Sequence, residues 1–176
     1  IDGKDVAAAP AAVKASIGYL PETPPLYGHM VVRDFIRFAA TIKGVADPDA
    51  ATAAVIETVG LDQDVGGMPA ADRIIAHLSK GYQQRVGLAQ ALVHSPSVLV
   101  LDEPNNHLDL EGISALASDL KAYEGTIIFV SHDRWLVDQL ATRVIELLPS
   151  GLEDYHGTYA EFLERNSVDR LDKEQI

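Results

Sequence analysis

Residues 98–103 read VLVLDE, and they are the strongest indication of the fold class. Four consecutive apolar residues with no charge between them are typical of a strand buried on both faces of a parallel sheet. Two carboxylates, Asp102 and Glu103, follow at once. Ligands of such sheets bind at the carboxyl ends of the strands, so both acids are predicted to lie at a ligand site. A strand that ends in a solvated Asp-Glu turn explains the same six residues about equally well.

Further strands and helices alternate around this stretch. Strands are predicted over 17–20, 126–130 and 143–148, and the segment 126–130 is again a continuous apolar run. Residues 61–77 are predicted to be irregular because they contain Gly66, Gly67 and Pro69. Helices are predicted over 32–43, 48–59, 79–93, 111–123, 135–141 and 159–165. Strands that alternate with helices imply an α/β fold with a mainly parallel sheet.

Two polar motifs flank the two apolar strands. Residues 78–84 read LSKGYQQ, in which a serine, a glycine and a following helix could form an anion site. The same residues also fit a helix that is simply capped by its serine. Residues 131–133 read SHD directly after the second apolar strand. A single histidine in that position indicates little by itself.

Order and spacing make these motifs more specific. Ser79 lies 23 residues before Asp102, and His132 lies 29 residues after Glu103. Between them residues 106–109 read NHLD, and upstream residues 17–22 read IGYLPE. Together they resemble, in order, the Q-loop, signature, Walker B, D-loop and H-loop of an ATP-binding cassette (ABC) ATPase domain. The resemblance implies an α/β fold of the P-loop NTPase type, with a mainly parallel core and a helical subdomain.

The resemblance also implies roles for seven residues, with ATP and Mg²⁺ as cofactors. Asp102 would be the metal ligand, Glu103 would polarise the attacking water and His132 would bind the γ-phosphate. The remaining four would contact ATP or the facing cassette of a head-to-tail dimer: Ser79 and Gly81 of the signature, Asp109 of the D-loop and Glu22 of the Q-loop.

The chain departs from the family pattern in two informative ways. Glu22 stands where the family has glutamine, and a carboxylate accepts hydrogen bonds but does not donate them. The 176 residues contain no G-x-x-x-x-G-K-[S/T] loop, which in the family supplies the amides and lysine that hold the phosphates. We therefore expect residues 1–176 to be a partial ABC ATPase domain, a fragment without the N-terminal strands and P-loop that does not bind ATP alone. Within it, the Q-loop and helical subdomain are expected over about 22–77, the signature-to-H-loop core over 78–148 and a C-terminal extension over 149–176.

Two branches of the family are visible in one chain. Residues 1–94 resemble the ATPase subunits of bacterial drug-export and gliding-type transporters, and they carry 8 basic and 10 acidic groups. From about Leu101 the sequence resembles the ABC-F proteins, which act on ribosomes. Residues 95–176 carry 6 basic and 16 acidic groups. A hybrid of two lineages and a divergent single lineage both remain open.

These resemblances predict the partners. Besides a second cassette, the first expectation is a membrane permease of exporter type; the alternatives are an ABC-F-type ribosomal factor and a non-catalytic remnant or chimera. The net charge of −12 argues against tight binding to a nucleic-acid backbone, so no direct DNA binding is expected. The chain has no cysteine and no signal segment, which predicts a cytoplasmic location, at the inner face of the membrane if a permease is bound.

Overall fold

The computed structural model describes residues 1 and 3–166, and within these the backbone alone of Asn166. The chain divides into two compact units, Ile1–Val130 and Ser131–Ile176. The part of the predicted C-terminal extension that follows residue 166 lies outside the described residues.

The first unit is built on a three-stranded parallel sheet in the order β1 (Ile17–Leu20), β2 (Val98–Asp102) and β3 (Thr126–Val130). Ile17 pairs with Val98, and Val98 pairs with Thr126. All three strands were predicted, and the structure confirms the α/β class with a parallel sheet. Five helices accompany the strands: α1 (Pro10–Lys14), α2 (Val32–Ile42), α3 (Pro48–Thr58), α4 (Lys80–Leu92) and α5 (Leu110–Lys121).

The region between β1 and α4 contains helices α2 and α3, as the sequence predicts. Helix α2 buries one face, because its apolar residues recur at helical spacing. Asp47 caps α3 by accepting a hydrogen bond from Ala50 N at 3.0 Å, and Pro48 occupies the first turn. Residues 61–77 contain two short 3₁₀ turns, Ala70–Asp72 and Ile75–His77, and are otherwise irregular.

One face of the sheet is much more exposed than the sequence predicts. Leu99 and Leu101 are fully buried on the face that α4 approaches. On the opposite face Tyr19, Ile128 and Val130 are 53%, 53% and 61% exposed. The prediction of strands buried on both faces is therefore wrong here: alternate residues stay open, and α4 packs on the other face.

The second unit holds α6 (Arg134–Leu140), the antiparallel strands β4 (Arg143–Leu148) and β5 (Gly151–His156), and α7 (Tyr159–Asn166). The sequence predicts β4, but it does not predict that β4 turns back into β5. The turn is Pro149 and Ser150, a two-residue hairpin loop followed by Gly151 at φ +139°. Arg143 and Asp154 pair across the hairpin, and this contact raises the pKa of Arg143 and lowers the pKa of Asp154.

Candidate functional site

The two carboxylates after β2 lie at the carboxyl edge of the parallel sheet. Asp102 is the last residue of β2 and Glu103 the first beyond it, and both are half-buried. Glu103 N donates to Val130 O at 2.9 Å, which joins the ends of β2 and β3. Glu103 has φ +45°, a left-handed conformation that costs a non-glycine residue energy and is frequent at functional sites.

The signature segment lies against the turn that follows Glu103. Ser79 precedes α4, and its Oγ accepts a long hydrogen bond of 3.4 Å from Tyr82 N. A methyl group added at Gly81 would lie 3.0 Å from His107 O, so a larger residue there would press on the turn. Gln84, buried one helical turn further on, reaches Glu103 O from its Nε2 at 3.4 Å. Gln84 thus links the signature helix to the backbone of Glu103.

The turn between β2 and α5 also contacts the Q-loop position. Asn106 Nδ2 donates to Glu22 Oε1 at 3.3 Å, across 84 residues of sequence. Asn106 N and Leu108 N close two successive turns on Glu103 O and Asn105 O. His107, between them, has φ +65°. Residues 103–108, which we call the D-turn, therefore touch both the Glu22 loop and the signature.

Asp109 has a structural role in this conformation. Its Oδ1 accepts a hydrogen bond from Gly112 N at 2.8 Å and caps α5. This use of the carboxylate does not test the expected contact with a second cassette, which stays a prediction.

His132 belongs to the second unit and is described within it. It is exposed and lies between Ser131, which is buried, and Asp133, which caps α6 through Leu136 N at 3.0 Å. Ser131 Oγ accepts from Asp133 N at 3.0 Å, so the residues on both sides of His132 are held in place. Its expected contact with a γ-phosphate stays a prediction.

Sequence reasoning missed three residues that organise the site: Gln84, Asn106 and His107. Gln84 and Asn106 stand inside the quoted motifs, but their contacts depend on tertiary packing. The left-handed φ of His107 has no signal in the sequence.

The carboxylate of Asp102 is compatible with Mg²⁺ bound together with a nucleotide. The described residues contain no group of three or more His, Cys, Asp or Glu side chains placed to hold a metal ion. Mg²⁺ in phosphate-transfer sites usually takes one or two carboxylates and completes its shell with phosphate oxygens and water. Asp102 at a sheet edge fits that limited requirement.

The family model described as ABC transporter matches residues 1–106. The chain belongs to the ABC transporter family. The structure of an ATP-binding subunit of an ABC transporter has the same fold, with a TM-score of 0.70 at 22% identity, covering 99% of this chain and 72% of that one. The predicted ABC ATPase fold is confirmed.

Three curated proteins show the sequence similarity of this ABC chain to its relatives. The energy-dependent translational throttle protein EttA of Haemophilus influenzae is 34% identical over 190 residues, which cover 90% of this chain and 34% of EttA. The ATP-binding protein Uup of Escherichia coli is 42% identical over 62% of this chain and 16% of its own length. ABC transporter F family member 2 of Arabidopsis thaliana is 44% identical over 54% of this chain and 14% of its own. The chain thus spans about a third or less of these relatives. None of the helices described in this ABC chain is both long and apolar enough to cross a bilayer.

Proposed function

We propose that this chain supplies one signature face and one pair of strand carboxylates to an ATP-hydrolysing pair of ABC cassettes. The observation that carries the proposal is the D-turn, which starts at Glu103, accepts a hydrogen bond from Gln84 of the signature segment and donates one from Asn106 to Glu22. A single turn therefore connects the segments that, by family resemblance, face two different nucleotides of a head-to-tail dimer.

In this proposal each residue has a separate task. Asp102 would hold Mg²⁺, which would neutralise phosphate charge when bound. Glu103 would orient and polarise the attacking water, and His132 would donate a hydrogen bond to the γ-phosphate. Ser79 would contact the nucleotide of the facing cassette through its hydroxyl. Gly81, which has no side chain, would let its backbone approach the same nucleotide. The Asn106 contact would keep Glu22 oriented towards the D-turn.

For the biological role we propose an ABC-F-type factor in translation. The match to EttA, a translational throttle protein by name, extends over 90% of the chain, and the DEPNNHLDL segment at 102–110 resembles the ABC-F proteins. The net charge of −12 favours contact with basic protein surfaces of a ribosome over contact with RNA phosphates.

An exporter subunit is the second candidate. The segment 17–27, which reads IGYLPETPPLY, and the signature segment 78–90 resemble exporter-type cassettes. A permease partner at the membrane is the corresponding prediction.

Fractionation of cells that express the tagged chain separates the two roles. We expect the chain to co-sediment with ribosomes in the presence of Mg·ATP and to leave them after nuclease treatment of the ribosomes. Recovery with a membrane permease would replace the ABC-F role by the exporter role. Recovery with neither would favour the third alternative, a non-catalytic remnant or chimera.

The ATPase proposal has its own test. The chain is mixed with a separately purified cassette that contains a G-x-x-x-x-G-K-[S/T] loop, and hydrolysis is compared with that of the partner alone. We expect stimulation, and we expect Ser79→Arg to abolish it by crowding the phosphate, whereas the neighbouring Lys80→Arg retains it. Stimulation that persists in Ser79→Arg would contradict the signature assignment.

A further inference from the structure

A lysine and a histidine form a hydrogen-bonded pair away from the proposed ATP site. Lys43, the residue directly after α2, donates from Nζ to Gln90 O at 2.9 Å and contacts His94 Nδ1 at 3.1 Å. His94 Nε2 lies 3.1 Å from Ile17 O at the start of β1. The pair therefore connects the ends of α2 and α4 to the sheet.

The partners fix the tautomer of His94. A carbonyl oxygen only accepts, so Nε2 must carry the hydrogen that is shared with Ile17 O. Nδ1 is then the acceptor, and the Lys43 amine donates to it. A neutral imidazole nitrogen is thus held against the lysine nitrogen, in position to take a proton from it.

The surroundings favour the neutral amine. The contacts of Lys43 Nζ in this cluster are a backbone carbonyl and an imidazole, and both Lys43 and His94 are partly buried. Burial lowers the pKa of Lys43 to about 8. Burial, followed by the charge of Lys43, also lowers the pKa of His94, although its hydrogen bond to Ile17 opposes this shift. At pH 7 an amine with a pKa of about 8 is about 9% free base, whereas a lysine with the ordinary pKa of 10.5 is about 0.03% free base.

We propose that Lys43 is a site of acylation by small activated acyl compounds, with His94 as the base. The substrate class is an acyl group on a good leaving group, such as an acyl phosphate or a thioester. The lysine nitrogen uses its lone pair to form a bond to the acyl carbon, and the bond from that carbon to phosphate or thiolate breaks, with the leaving group taking the electron pair. His94 Nδ1 receives the proton that the nitrogen loses, and water then removes it.

The modification would change the structure locally. An amide at Lys43 loses the positive charge and keeps one N–H in place of the ammonium's three. It cannot donate to both Gln90 O and His94 Nδ1, so acylation would loosen the connection between α2 and α4. This inference does not depend on the proposed ATPase function.

Acetyl phosphate is the probe for the test, with the unaltered 176-residue chain as the target. Modification is kept to low occupancy, and the rate at each lysine is followed by peptide mass spectrometry. We expect Lys43 to react at least tenfold faster than the exposed Lys4 and Lys14 at pH 7. A rate at Lys43 equal to or below theirs would overturn the proposal.

His94→Gln separates a base from a merely structural contact. A glutamine offers an acceptor to Lys43 and a donor to Ile17 O, but it does not take a proton. We expect the rate at Lys43 to fall at least fivefold in this variant, with Lys4 and Lys14 unchanged. An unchanged rate at Lys43 would show that His94 is not the base.

The pH profile of the unsubstituted chain keeps the test decisive if His94→Gln does not fold. The rate at Lys43 should level off above about pH 8, where the amine is already free, while the rate at Lys4 continues to rise. In about 8 M urea, which should unfold the chain, the acylation rates of Lys43 and Lys4 should become equal. Parallel profiles in the folded chain would contradict the proposal.

Discussion

Asp109 shows how a residue expected at an interface also supports its own helix. The carboxylate accepts a hydrogen bond from Gly112 N at 2.8 Å and lies at the positive end of α5. A loss of activity on its removal would therefore mix a capping effect with any contact made to a second cassette.

Two substitutions of Asp109 separate these effects. We expect Asp109→Ala to lower the free energy of unfolding by about 1 kcal/mol, because the cap is lost. Asp109→Asn keeps an oxygen acceptor and should cost much less, although it removes the charge. Urea titration followed by circular dichroism measures both, and equal losses in the two variants would show that charge, and not the hydrogen bond, is what stabilises α5.

Lys43 gives the stability of the chain a specific dependence on pH. Its pKa in the folded protein is about 8, below the ordinary 10.5, so between these values the unfolded chain binds more protons than the folded one. The free energy of unfolding therefore gains a contribution that rises with pH from about 8 to 10.5. Urea titrations at several pH values measure this dependence. In Lys43→Met the rise should disappear, whereas Lys4→Met, at an exposed position, should keep it. If the free energy of unfolding rises equally with pH in Lys43→Met and in the unsubstituted chain, the assignment to Lys43 is refuted.

The sequence predicts residue identities at the site better than it predicts their contacts. Asp102 and Glu103 could be placed at a sheet edge because the strand before them is an unbroken apolar run. The contact of Asn106 with Glu22 joins residues 84 positions apart, and no local pattern encodes it. Whether Glu103, His132 and Ser79 act on ATP stays a prediction.

Among the elements of the first unit, local patterns located the three strands and helices α2 to α5 to within a few residues, but they missed the short helix α1. Helix α2 ends at Ile42, and Gly44, the predicted stop, follows two residues later in the left-handed conformation at φ +74°. Strand β5 was missed, since Leu152, Glu153 and Asp154 do not alternate between apolar and polar. It exists because it pairs with β4 through a tight turn, and pairing is a tertiary property.

The contact between β1 and α4 is close enough to forbid a side chain at Gly18. A methyl group there would lie 2.4 Å from Ala91 O and 2.9 Å from Leu99 Cδ1. We expect Gly18→Ala to lower the free energy of unfolding by about 1–3 kcal/mol or more, since backbone must move. Gly28→Ala is the control, because its methyl group would meet Ala76 Cβ at an ordinary 3.6 Å. Thermal melts of both variants measure the difference, and equal melting temperatures would contradict this account of the packing.

At the scale of the molecule, an exposed apolar sheet face coexists with a strongly negative charge. Tyr19, Ile128 and Val130 present apolar surface at and near β3, and within the described residues β3 pairs on one side only. Exposed apolar faces and unpaired strand edges promote association. The net charge of −12 opposes it through repulsion between molecules.

Association should therefore increase as the pH falls towards the isoelectric point of about 4.7. We expect larger species by size-exclusion chromatography with light scattering at pH 5.5 than at pH 7.5, two values chosen about one and three units above that point. Ile128→Lys places a charge in the exposed face and should reduce them. Leu110→Lys adds the same charge at an 85% exposed position of α5 and should not. Equal effects of the two substitutions would mean that net charge alone controls association.

The register of the sheet also has a consequence for the newly made chain. Ile17 pairs with Val98, so β1 leaves the ribosome 81 residues ahead of its partner strand. At about 5–20 residues per second, synthesis of that interval takes about 4–16 s. Helices α2 and α3, whose mutual contacts are local in sequence, have time to assemble during this delay, whereas the sheet must wait for Val98. A pause in translation within residues 20–98 would thus prolong the exposure of β1, and synonymous codon changes there would alter the yield of folded protein without changing a single side chain.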